Sequence, residues 1–160
     1  MLIGDGDIAS VLPDNDGLLY FASGVSNSKE IRENQYEREI NMLLQQPRHA
    51  HIVYFSSLAI FYSDSRYAQH KWQMESLVKL EFPHYTIIRL GNITWGKNPH
   101  TLINYLKKHP KAEIQDVYRY ICDKDEFLHW IKLIPTFNCE INVPGKRLKV
   151  KEIVDEYVNK

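Results

Sequence analysis

Ser57, Tyr67 and Lys71 have the side-chain types that move a proton at a carbon–oxygen centre. Tyr67 and Lys71 stand four positions apart in RYAQHKWQMESLV, so on a helix they share one face about a turn from each other. An ammonium beside a phenol favours tyrosinate and brings it into the range of proton transfer, while a serine hydroxyl holds the oxygen whose proton moves. That chemistry interconverts an alcohol and a carbonyl. A second candidate is GDGDIA, Gly4 to Ala9, a GxGxxA pattern that could bring backbone close to a diphosphate. The same glycines equally suit a strand-to-helix turn that needs backbone freedom.

The elements that must position these residues read as an alternation of strands and helices. Met1 to Ile3 is a short apolar run, Leu18 to Ala22 and His51 to Ser56 are continuous apolar runs of strand length, and Tyr85 to Arg89 is another. Continuous rather than alternating hydrophobicity predicts strands buried on both faces of a parallel sheet. Helices are predicted over about 33–46, 66–80, 101–108, 123–133 and 150–158, with further strands near 117–121 and 140–143. Pro13 and the cluster Asp14-Asn15-Asp16-Gly17 stop any helix after the glycine turn within two turns. The alternation predicts an α/β sandwich with right-handed crossovers.

In that order, the strand HIVYFSSLAIF, the helix RYAQHKWQMESLV and the strand YTIIRLGNITWG resemble the extended short-chain dehydrogenase/reductase family, the NAD-dependent epimerases and dehydratases of nucleotide sugars. Ser57 matches the family's catalytic Ser/Thr, Tyr67-Ala68-Gln69-His70-Lys71 its YxxxK, and Arg89 to Gly96 its Arg-x-x-Asn-Val-Tyr-Gly run. Glu75 stands at the usual acidic position one turn after the lysine. Tyr118 to Phe127 and Asn142 to Val154 are similar to the family's closing segments, so the likeness runs from Leu18 onward.

The resemblance implies an oxidoreductase, epimerase or dehydratase acting on a nucleotide sugar, with NAD or NADP as cofactor. Tyr67 would then be the general acid/base, Lys71 its activator and a contact of the nicotinamide ribose, and Ser57 the partner of the substrate hydroxyl. Gly4, Gly6, Ile8, Ala22, Ser23 and Gly24 would border the cofactor; Leu58, Asn92 and Arg119 would approach substrate. The helices near 36–44 and 67–78 would pack as a four-helix homodimer interface, covering Trp72 if that residue is exposed. The implied fold is a three-layer Rossmann-like sandwich, one minimal domain over 1–160, with 109–160 corresponding to the family's small substrate region.

The parallel sheet is expected to be shortened. Leu18 already begins what resembles the family's fourth strand, so the second and third strands are missing, and with them the acidic residue that holds an adenosine ribose. The sheet would read first, fourth, fifth and sixth strand, with the first at an edge. Asp5 and Asp7 flank Gly6 where a diphosphate would approach, and two carboxylates there oppose it unless they point away or cap the short helix. The alternative reading is therefore a catalytically inactive binding or regulatory module that has lost its cofactor.

Composition narrows the classes. Twenty Lys plus Arg offset twenty Asp plus Glu for a net charge of +0, so no overall field draws the chain to nucleic acid or an anionic membrane. No apolar run reaches membrane-spanning length, and a cytoplasmic setting with two reduced thiols, Cys122 and Cys139, is expected. His49 and His51 share one side of an extended segment without a third ligand, so no metal site is expected. His70 is expected to face away from Lys71, and the basic run Lys146 to Lys151 is expected to be a solvated helix entrance.

Overall fold

A computed structural model describes residues 1–160. In chain order the elements are β1 (Leu2–Ile3), β2 (Leu19–Phe21), α1 (Glu33–Leu44), β3 (His51–Ser57), α2 (Arg66–Glu81), β4 (His84–Leu90), β5 (Asn92–Ile93), α3 (Leu102–Lys108), β6 (Tyr118–Cys122), α4 (Lys124–Lys132), β7 (Cys139–Val143), β8 (Lys146–Lys149) and α5 (Val150–Ile153). β1, β2, β3, β4 and β7 form one parallel sheet in that order, with β1 at one edge. β5, β6 and β8 form a second, small sheet beyond the carboxyl end of β4. Residues 109–160 divide between the two sheets, because β7 joins the large one.

The apolar strand runs bury both faces, as expected for parallel strands under helices. Along β3, Ile52 and Tyr54 face one core with Leu43 of α1 and Met74 and Val78 of α2. Val53 and Phe55 face the opposite core with Phe127 and Ile131 of α4. The strand period of two thus produces a three-layer sandwich, α1 and α2 on one side and α4 on the other. Ser65 and Thr101 start α2 and α3 by accepting backbone N–H bonds from Ala68 at 3.1 Å and Asn104 at 3.3 Å.

The connection from β1 to β2 is a single 3-10 turn, Ala9–Val11, and no strand lies beyond β1. Gly4 is required there: its φ is +122°, and a Cβ on it would strike the Ala22 carbonyl. One expectation is corrected. Lys146 to Lys149 is not a helix entrance but β8, antiparallel to β6. Leu148 packs against a small core of Ile103, Ile121 and Ile153, and the backbone of the segment pairs with β6 from Tyr118↔Lys149 to Ile121↔Lys146.

Candidate functional site

Parallel strands with crossovers leave a crevice at their carboxyl ends, and here the ends of β2, β3 and β4 open into a cleft of about 1360 Å³. The glycine turn contributes Gly6 and Ile8, and the loop after β2 contributes Ala22, Ser23 and Gly24. Ser57 enters from the end of β3, Tyr67 and Lys71 from the first turns of α2, and Asn92 and Arg119 from the small sheet. Two residues expected at the site stay outside it. Gly4 lies beneath, against the Ala22 backbone, and Leu58 is buried in the 3-10 turn that follows β3.

Ser57 caps that 3-10 turn, its Oγ accepting the Ala59 N–H at 3.1 Å. The Tyr67 hydroxyl makes no hydrogen bond within the chain, and it is not a buried orphan, so it is free toward the cleft. Lys71 Nζ stands 5.6 Å from the Tyr67 ring centre. Its hydrogen bonds go elsewhere: 3.2 Å to Tyr54 Oη, and 3.4 and 3.5 Å to the Glu39 carboxylate. The ammonium is only 3% exposed, and Gly24 closes over it so tightly that a Cβ would lie 2.7 Å from Nζ.

Glu39 is fully buried on α1 and collects donors from three other elements. Its carboxylate accepts the Val25 backbone N–H at 2.7 Å, His70 Nε2 at 3.0 Å and the Tyr54 hydroxyl, besides Lys71. Burial pushes the carboxyl up, but the Lys71 ammonium and the His70 and Tyr54 bonds outweigh it and bring the pKa down to about 2. Burial, then the Glu39 charge, holds the Tyr54 phenol well above its ordinary range. His70 therefore does not face away from Lys71. The flexible lysine stem bends to the same carboxylate that the imidazole meets, and His70 Nδ1 remains buried without a partner.

A second buried network ties β3, β4, α2 and β7 together beside the cleft. Arg89 Nη2 donates to Glu75 at 2.6 Å, and Glu75 also accepts the Ser56 hydroxyl at 2.6 Å. Arg89 reaches on to Glu140 and to Asn142. These contacts brace the carboxyl ends of β3, which carries Ser57, and of β4, and Ser56 is the member of the network that borders the cleft.

At the glycine turn, Asp7 neither caps the 3-10 turn nor faces the cleft with a free charge. Its carboxylate accepts the backbone N–H groups of Lys97 and Asn98, each at 2.9 Å, while Trp95 Nε1 donates to its carbonyl. Asp5 is exposed, and a Cβ at Gly6 would meet nothing within 4 Å, so the backbone there is open to approach. His51 Nε2 pairs with Thr86 Oγ1 at 2.8 Å. Burial pushes the Cys122 thiol up to about 12, which leaves it inert at neutral pH. No helix is long and apolar enough to cross a membrane.

No family model and no curated protein sequence matches the chain. Solved structures do. The Bordetella bronchiseptica enzyme WbmG in complex with NAD and UDP superposes with a TM-score of 0.64 at 14% identity, over 87% of this chain and 54% of that one. The dTDP-4-dehydrorhamnose reductase of Bacillus anthracis, in complex with NADP, gives 0.62 at 14%, over 87% and 61%. The capsular polysaccharide assembling protein CapF of Staphylococcus aureus gives 0.57 at 22%, over 87% and 44%. The chain spans about half the length of the solved structures it matches. It is built on their Rossmann-like α/β fold, with a parallel sheet shortened at the β1 edge.

Proposed function

We propose that the chain binds a nicotinamide dinucleotide and acts on a nucleotide sugar, as an oxidoreductase, epimerase or dehydratase using Ser57, Tyr67 and Lys71. The observation that carries this reading is the single cleft that these three residues share with the loop Ala22 to Gly24. In the WbmG structure NAD and UDP are bound, and the Bacillus reductase holds NADP. Gly24 lets this loop lie directly on Lys71, since a Cβ there would stand 2.7 Å from Nζ. A bound nicotinamide would accept or supply the hydride. Tyr67 would exchange a proton with the substrate hydroxyl or carbonyl, Ser57 would hold that oxygen, and Lys71 would supply positive charge behind the Tyr67 ring. Asn92 and Arg119 would line the sugar-nucleotide side.

The test is a calorimetric titration of cofactor-stripped protein with NAD⁺, NADH, NADP⁺ and NADPH. Saturable binding of one of them is the expected result; no heat at millimolar cofactor removes the oxidoreductase reading. A second reading, a binding module without turnover, is favoured by one observation: the Lys71 ammonium is engaged by Glu39 and Tyr54 instead of the Tyr67 hydroxyl. Cofactor or UDP affinity with no turnover on any nucleotide sugar would select it.

The outer face of α1 and α2 is the proposed homodimer contact. Trp72 and Leu80 of α2 are 58% and 80% exposed, and Leu44 at the end of α1 is exposed as well. Sedimentation is expected to give a dimer that Trp72→Glu dissociates; a monomeric wild type at high concentration sinks this contact.

A further inference from the structure

The shortened sheet leaves an electrostatic gap. A diphosphate entering the cleft over the glycine turn would meet no helix terminus, because the 3-10 turn is too short to offer one, and it would pass Asp5 and Asp7. Asp7 is turned to the Lys97 and Asn98 backbone, which removes its opposition without adding a positive group. Lys71 is already neutralised by Glu39. Lys29, on another wall of the cleft, is held over the Tyr105 ring at 4.7 Å from its centre, which leaves the arginines as the source of counter-charge.

Four arginines, Arg32, Arg48, Arg66 and Arg89, are paired with carboxylates. Arg38 is not, and it lines the cleft from the second turn of α1. Its Nη2 donates to the Ser23 carbonyl at 3.0 Å and its Nη1 to Ser23 Oγ at 3.2 Å and Met42 Sδ at 3.1 Å. These contacts hold the guanidinium, half-buried, at the carboxyl end of β2. They use both Nη1 hydrogens and one on Nη2. The Nε–H and the second Nη2–H make no bond within the chain, and that edge of a guanidinium is a fork matched to two oxygens of one phosphate. Ser23 follows β2, the strand that pairs with the edge strand β1, so Arg38 stands on the β1 side of the cleft.

We infer that Arg38 is an anion anchor for the diphosphate of a nucleotide, on the side of the cleft where the two strands are absent. The anchor is preorganised: Ser23 and Met42 fix the side chain before any ligand arrives, so little ordering entropy is lost on binding. Arg119, the other cleft arginine without a carboxylate partner, projects from the small sheet and serves a different wall. The inference rests on the nucleotide-binding part of the proposed function and is independent of its redox part.

The experiment titrates the full chain with ADP and, separately, with inorganic phosphate and NADH. Arg38→Gln is expected to weaken ADP by about tenfold or more, the range for losing a charge-assisted hydrogen-bonded contact. Arg38→Lys keeps the charge but loses the fork, so it also weakens ADP, and it covers the case in which the glutamine variant folds poorly. Arg147→Gln, outside the cleft and stacked on Tyr118 at 3.8 Å, makes the same change in net charge and leaves ADP affinity as in the wild type. Equal ADP affinity in wild type and both Arg38 variants, no ADP binding by the wild type, or phosphate bound as tightly as ADP would each overturn the assignment. If ADP binding depends on Arg38 while NADH does not bind, the anchor stands and the oxidoreductase reading falls. If NADH binds and Arg38→Gln leaves it unchanged, the reverse holds.

Discussion

Lys71→Ala is expected to lower the stability of the fold by about 3–5 kcal/mol, the cost of removing one partner from a buried ion pair. Lys71 is 3% exposed and Glu39 fully buried, so the pair lies largely out of water in the folded chain. Urea denaturation at pH 7 measures the loss. A double variant, Lys71→Met with Glu39→Leu, is expected to recover little, unlike an isolated pair. Glu39 also satisfies the Val25 N–H, the Tyr54 hydroxyl and His70, and a leucine would orphan all three. The same pair shapes the acid limb. The folded carboxyl titrates at about 2 against an ordinary 4.5, so Glu39 adds stability above about pH 4.5 that disappears as pH falls toward 2. That contribution is on the order of 3 kcal/mol. In Lys71→Ala the acid limb becomes shallower; an unchanged one would mean that the ammonium does not keep Glu39 ionised.

Periodicity made the frame readable. The runs LLYFA, HIVYFS and YTIIR have no polar alternation, and the sheet buries each on both faces, so the parallel α/β arrangement followed from the strands alone. The missing strands were readable too, since Pro13 and the Asp14 to Gly17 turn leave no room for them. β8 was not, because KRLK has one apolar residue, and its strand geometry depends on pairing with β6, which lies 25 to 31 residues earlier, from Ile121↔Lys146 to Tyr118↔Lys149, and is invisible to a local pattern. The site divides the same way. Tyr67 and Lys71 were found because four positions on a helix place them together, but where the ammonium points is decided by Glu39 and Tyr54, 32 and 17 residues away. One local signal existed. Glu39 falls three residues after Tyr36 and four before Leu43, on the buried stripe of α1, and a carboxylate at such a position needs partners. Arg38 beside it had no such signal, since only the fold shows that it meets Ser23.

Tyr67→Phe separates chemistry from architecture more cleanly than any change at Lys71. The substitution deletes one oxygen that no hydrogen bond in the chain uses, and the ring stays in place over α2 beside the lysine stem. Stability is therefore expected to change by less than about 0.5 kcal/mol, as for a substitution that breaks no buried contact. Turnover, on the proposed reading, falls by about two to four orders of magnitude, the contribution of a positioned acid/base. Cofactor affinity is expected to stay near the wild type, because on the proposed reading the ribose and diphosphate contacts would lie with Lys71, the Ala22 to Gly24 loop and Arg38. Ser57→Ala is a useful neighbour but a less clean one, since its Oγ also caps the 3-10 turn at Ala59. Parallel assays of stability, NADH binding and turnover on Tyr67→Phe give a pattern that a structural tyrosine cannot imitate: only the last one moves. Wild-type turnover in Tyr67→Phe would remove this residue from the reaction. The acid/base would then have to be sought elsewhere along the cleft, because Tyr54, the other phenol beside Lys71, is buried and bonded to Glu39.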